Sequence, residues 1–173
     1  MNKNISKLLK KTITDMEKIY QSSEKNFLSE DDFKCTLFYL FEKNIDSMNL
    51  SKQLSTHTEV SLYGESGKLE YRPDLVILKN KHLKIKDNNF KWEISDKGVA
   101  LIIEIKFIKS KISSILKKEI KKDLKKLSIL SKDNKNAKTI LFCFDFTSSQ
   151  LENIKLSSKD TKVEIQYIPR ENI

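Results

Sequence analysis

Three charged side chains interrupt apolar segments of the sequence: Asp74 at the head of DLVIL, and Glu104 and Lys106 inside LIIEIKFI. Side chains alternate across a strand, so Glu104 and Lys106 share one face while Ile103 and Ile105 share the other. If the strand carrying Asp74 pairs beside them, a second carboxylate arrives at the same end. Two carboxylates that close repel each other unless a cation lies between them, and hard oxygen ligands with positions left for water suit Mg²⁺. Such an ion polarises a phosphate and acidifies water. Lys106 is then placed to orient or deprotonate that water, or to stabilise developing negative charge. The carbonyl of Ile105, between the two side chains, is a further candidate ligand. Each residue also has a plainer reading, with Asp74 as a turn residue after Pro73 and Glu104 and Lys106 as an ion pair on a half-exposed strand. Against that stands the cost of burying charges among Leu, Ile and Phe without a partner or a task.

The elements that must position these residues are legible from periodicity. Apolar residues at helical spacing predict a helix over 5–20, through Ile5, Leu8, Leu9, Ile13, Met16, Ile19 and Tyr20. A second helix starts at Ser29, a good N-cap, with Glu30, Asp31 and Asp32 at the positive end of its dipole; Phe33, Leu37, Leu40 and Phe41 carry its buried face through about Asn44. HTEVSLY at 57–63 reads as a strand, GESG at 64–67 as a turn, and LEYRPDLVIL at 69–78 as the partner strand. LKIK at 83–86 and FKWEI at 90–94 form a polar, solvent-facing hairpin, and VALIIEIKFI at 99–108 a strand covered on both faces. A third helix follows, with Ile112, Ile115, Leu116, Ile120, Leu124, Leu127 and Leu130 on one side and Lys117, Lys118, Lys121, Lys122, Lys125 and Lys126 crowding the other. TILFCFDF at 139–146 and VEIQYI at 163–168 complete the set, the last as an edge strand. The order predicts an α/β sandwich around one sheet, and 173 residues without a linker or repeat predict a single domain, 1–173.

With RPDLVIL, a spacing of 30 residues from Asp74 to Glu104, and IIEIKF, the sequence resembles the PD-(D/E)XK nuclease superfamily over roughly residues 29–146. The resemblance implies a restriction-endonuclease-like core, a central mixed β-sheet flanked by helices. It implies Pro73 and Asp74 as one half of the signature and Glu104 and Lys106 as the other, with Asp74, Glu104 and Lys106 catalytic. Mg²⁺ or Mn²⁺ is the implied cofactor, held by Asp74, Glu104 and the Ile105 carbonyl. Members often add an acid from the helix before the sheet; SEDDF at 29–33 resembles that position, with Asp32 preferred and Glu30 second, a capping and dipole role being the other reading. The implied activity is hydrolysis of phosphodiester bonds in nucleic acid, DNA ahead of RNA, in restriction, phage defence, mobile-element or repair functions. The superfamily also holds members that bind without cutting, so a non-catalytic module for nucleic acid or protein is the alternative.

Composition bears on partners. The formal charge is +9, and Arg72 and Arg170 are the two arginines, leaving 31 of the 33 basic residues as Lys. The excess fits attraction to a polyanion, or equally the codon bias of an AT-rich genome. Scarce Arg argues for gripping phosphates over reading bases. Lys117, Lys118, Lys121, Lys122 and Lys125 on the third helix are candidates to track a phosphate backbone, with a solvated helix face as the alternative. Cys35 and Cys143 make no metal-ligand spacing and read as buried free thiols. No signal-peptide core or membrane-length apolar run is present, which predicts a soluble cytoplasmic protein, as a homodimer or with a partner subunit if both strands of a duplex are cut.

Overall fold

Helix α2 (Glu30–Ser47) begins with a reciprocal cap. Ser29 Oγ accepts from the Asp32 N–H at 3.3 Å, and Asp32 Oδ2 accepts from the Ser29 N–H at 2.9 Å and the Leu28 N–H at 2.8 Å. Helix α1 (Lys3–Gln21) packs against it through Leu8, Leu9 and Met16, and buried Asn44 of α2 donates to Thr12 Oγ1 and Asp15 Oδ2. The predicted inner face of α2 is buried as expected. Cys35 is exposed, contrary to expectation, because two residues past Phe33 the helix has turned about 200° and presents it to water. Cys143 is buried as expected.

The computed structural model describes residues 3–22, 26–63, 69–86, 91–94, 97–111, 113–147 and 163–170. The predicted turn at 64–67 lies outside them. The two long strands expected around it are each broken. β1 (Leu54–Thr58) and β2 (Leu62–Tyr63) are separated at Glu59, whose φ of 51° is left-handed; β3 (Leu69–Tyr71) and β4 (Leu75–Lys79) are separated at Arg72 and Pro73. The pairing survives the breaks: β1 lies antiparallel to β4 with Thr58 opposite Leu75, β2 antiparallel to β3 with Leu62 opposite Tyr71, and the Glu59 N–H donates to the Asp74 carbonyl at 3.3 Å. Pro73 supplies no N–H to a ladder, which fits a gap there. Asp74 therefore stands at the gap, immediately before β4.

β5 (Leu83–Lys86) and β6 (Lys91–Ile94) form the expected hairpin as a separate two-stranded sheet. β7 (Val99–Ile108), β8 (Lys138–Asp145) and β9 (Glu164–Pro169) join β1 and β4 in a five-stranded sheet of order β1-β4-β7-β8-β9. β4 lies antiparallel to both of its neighbours, β1 and β7, whereas β7, β8 and β9 run parallel. β9 is an edge strand, as its sequence suggested. The chain is thus an α/β fold with a mixed sheet.

The two sheet faces carry separate cores. Leu75, Ile77, Leu101, Ile103, Ile105 and Phe107 face α1 and α2, where Phe33 stacks on Phe27 and on Phe144 with ring centroids 4.2 Å apart in both pairs. Val76, Leu78, Ile102, Ile108, Leu141 and Cys143 face α3 (Ser114–Asp133), whose Ile120, Leu124, Leu127 and Leu130 are buried. The stripe of α3 starts later than its sequence suggested: Ser113 caps the helix and Ile115, in the first turn, is 68% exposed. Ile112 lies outside the described residues. Among the described residues no helix is long and apolar enough to cross a membrane.

Candidate active site at the end of the β4–β7 pair

β4 pairs with β7 only as far as Leu75 opposite Ile103. Beyond that point this edge of β7 has no strand from β4 beside it, and two carboxylates take up its donors. Asp74 Oδ2 accepts from the Ile105 N–H at 2.7 Å, and Glu30 Oε1 of α2 accepts from the Phe107 N–H at 3.2 Å. In an antiparallel ladder one residue's N–H and C=O point to the same neighbour, so the Ile105 carbonyl faces the Asp74 edge too.

The side chains of Glu104 and Lys106 project on the α3 side, between Ile102 and Ile108 of that core. Val76 and Leu78 lie on that side and Leu75 and Ile77 on the other, and the same alternation carried back one residue puts Asp74 with Glu104. α3 answers both charges of β7. Lys126 Nζ donates to Glu104 Oε1 at 2.7 Å and to the Arg72 carbonyl at 3.1 Å, and lies 5.9 Å from the centre of the Tyr71 ring. Lys106 Nζ lies 3.3 Å from Asp123 Oδ2 and 3.3 Å from Glu30 Oε1.

The electrostatics follow from burial and crowding. Burial, together with the nearby Asp74 charge, pushes the Glu104 carboxyl up to about 7 despite the Lys126 hydrogen bond. Burial also raises Asp74, against the opposing hydrogen bond from Ile105 and charge of Lys126. Both acids therefore favour company with positive charge. Burial alone would lower Lys106, but the charges and hydrogen bonds of Asp123 and Glu30 outweigh it and push the ammonium pKa above its ordinary value. Lys106 is a fixed cation at neutral pH, suited to stabilising charge and not to accepting a proton.

No protein-family model, no curated protein and no solved structure matches the chain.

The donors at this strand end are oxygens, the kind a hard divalent ion takes. Glu104 Oε2 is buried and has no hydrogen-bond partner among the described residues, and Glu104 Oε1 already accepts a hydrogen bond from the Lys126 ammonium at 2.7 Å. Among the described residues no group of three or more His, Cys, Asp or Glu side chains is arranged to hold a metal. Mg²⁺ is commonly bound by one or two carboxylates with water and substrate oxygens completing its shell, which Asp74, Glu104 and the Ile105 carbonyl can match.

Asp74 comes beside Glu104 where β4 ends, and Lys106 lies on the same face of β7 with its ammonium against Asp123 and Glu30. The structure separates the two candidate acids of SEDDF. The Asp32 carboxylate is engaged in the α2 cap, whereas Glu30 reaches β7 and Lys106. The apolar stripe of the third helix does not predict a place for Asp123 in the site, and Lys126, expected on the outer lysine face, turns inward onto Glu104 instead. A signal existed for both: Asp123 is three residues after Ile120 and Lys126 precedes Leu127, so both border the apolar stripe and do not lie opposite it. Lys117, Lys118, Lys121, Lys122 and Lys125 are exposed on the outer side of α3.

Proposed function

We propose that the chain is a metal-dependent nuclease that hydrolyses phosphodiester bonds in nucleic acid, DNA before RNA, on a restriction-endonuclease-like core. The observation that carries this reading is the closeness of the Asp74 and Glu104 carboxylates where β4 ends beside β7, with Lys106 two residues along the same face of that strand. Asp74, Glu104 and the Ile105 carbonyl hold Mg²⁺ or Mn²⁺. When bound, that ion neutralises a scissile phosphate and acidifies water at the site.

The chain's own groups do the rest. Lys106, steadied by Asp123 and Glu30, donates to a non-bridging phosphate oxygen and stabilises the charge that builds there. The Ile105 and Phe107 N–H groups pin the Asp74 and Glu30 carboxylates, so the acids are placed before substrate arrives. Lys117, Lys118, Lys121, Lys122 and Lys125 offer a sequence-blind grip on the phosphate backbone. Supercoiled plasmid incubated with the protein and Mg²⁺ or Mn²⁺ should be nicked or linearised. Asp74→Ala should abolish cleavage and Lys106→Ala should slow it by at least about 100-fold, with folding intact by circular dichroism. Cleavage at equal rates by wild type and both variants would remove the proposal.

A specific observation favours a second reading. The site's charges are already partnered within the chain, Lys126 with Glu104 and Lys106 with Glu30 and Asp123. A scaffold that only binds nucleic acid or a protein would need no more than that. It predicts salt-sensitive binding through the lysine face and no strand scission in either metal.

A further inference from the structure

Lys126 enters the site from a different element than the signature residues, and its surroundings separate it from the other lysines of α3. Of the six lysines between 117 and 126, five are exposed and Lys126 is half-buried. Its ammonium is fixed by Glu104 Oε1 at 2.7 Å and the Arg72 carbonyl at 3.1 Å, with the Tyr71 ring alongside. A Lys head on a flexible four-carbon stem is a compact point charge that can move without disturbing the helix that carries it.

We propose that Lys126 is the resident cation of the metal site, a built-in competitor that neutralises Glu104 in the ion-free protein and is displaced when a divalent ion binds. This rests on the metal-site reading given above. An ammonium satisfies one oxygen of Glu104 and leaves Oε2 buried without a hydrogen-bond partner among the described residues. A divalent ion brings twice the charge to the same carboxylate, and the two cations cannot share Oε1 at contact distance without strong repulsion. The ion's apparent affinity is therefore reduced by the fraction of molecules in which Lys126 has moved aside. Once displaced, Lys126 has the Arg72 carbonyl and the Tyr71 ring to hold it near the site, where it meets the phosphate that completes the ion's shell. A phosphate that draws Lys126 away from Glu104 favours metal binding, and metal favours phosphate by the same factor.

The test is calorimetric titration of Mn²⁺ alone into metal-free wild type, Lys126→Met, Lys126→Gln and Lys126→Arg. Removing the charge should tighten Mn²⁺ binding by about tenfold or more in the Met and Gln variants, while Arg, which keeps a cation there, should stay near wild type. The wild type carries a second readout that needs no variant: Mg²⁺ added to protein labelled with ¹³C at the lysine ε-carbons should shift the Lys126 resonance. Unchanged or weaker binding in Met and Gln, tightening by Arg equal to that by Met, or a Lys126 resonance that ignores saturating Mg²⁺ would overturn the inference while leaving the metal site intact. Absence of binding in the wild type and every variant would overturn the metal site and this inference together.

Discussion

Glu104 is buried beside another acid, and the work it can do depends on what neutralises it. Its carboxyl holds its proton to about 7 in the folded chain, against an ordinary 4.5. The folded state therefore binds more protons than the unfolded state between those values, and stability from this group is full below the lower one and declines as pH rises through the upper one. The difference amounts to something on the order of 3 kcal/mol. Asp74 is displaced in the same direction. In metal-free buffer the wild type should lose stability between pH 5 and pH 8, and Glu104→Gln, which keeps the shape and cannot ionise, should lose less. Urea denaturation at both pH values measures this, and parallel losses in the two proteins would show that Glu104 is not the strained group. At this scale the sequence was informative. Alternation alone placed Glu104 and Lys106 on one face, and the high cost of unpaired charge in an apolar run marked them out. It did not identify their partners, because a contact between Lys126 and Glu104 depends on how α3 lies across the sheet.

The elements divide the acids of α2 between two tasks. Asp32 closes the cap with Ser29, a pairing that the S-x-x-D spacing announces, while Glu30, in the first turn, reaches across to the Phe107 N–H and Lys106. Asp32→Ala should therefore cost about 1 kcal/mol of stability and leave Mn²⁺ affinity unchanged. Loss of metal binding in that variant, measured beside its denaturation curve, would return Asp32 to the site. The preference for Asp32 as the added ligand came from position within a short acidic string, and the geometry of the cap decides otherwise. β7 and the hairpin β5–β6 were legible as whole elements because their apolar or alternating runs are uninterrupted. The hairpin built from β1 to β4 was not, since its alternation continues through residues that Pro73 and the left-handed Glu59 take out of the ladder. That interruption frees Asp74 to turn its carboxylate onto β7.

For the molecule as a whole, three separate stretches of sequence must meet: the gap before β4, the end of β7, and the inner side of α3. The antiparallel pairing of β4 with β7 sets the first against the second, and the packing of Ile120, Leu124 and Leu127 onto the sheet brings up the third. A mixed sheet with helices on both faces could be inferred from the order of the predicted elements; the strand order could not, because parallel and antiparallel neighbours of β7 read alike as apolar runs. The central claim is that Asp74 and Glu104 jointly hold one divalent ion. Equilibrium titration of metal-free protein with Mn²⁺, followed by the electron paramagnetic resonance of the free ion, tests it directly. The account predicts one ion per chain in the wild type, binding at least about tenfold weaker in either Asp74→Ala or Glu104→Ala, and little further loss when both are changed, as expected of ligands to a single ion. Mn²⁺ that binds equally well to the doubly substituted protein, or does not bind the wild type at all, would contradict it.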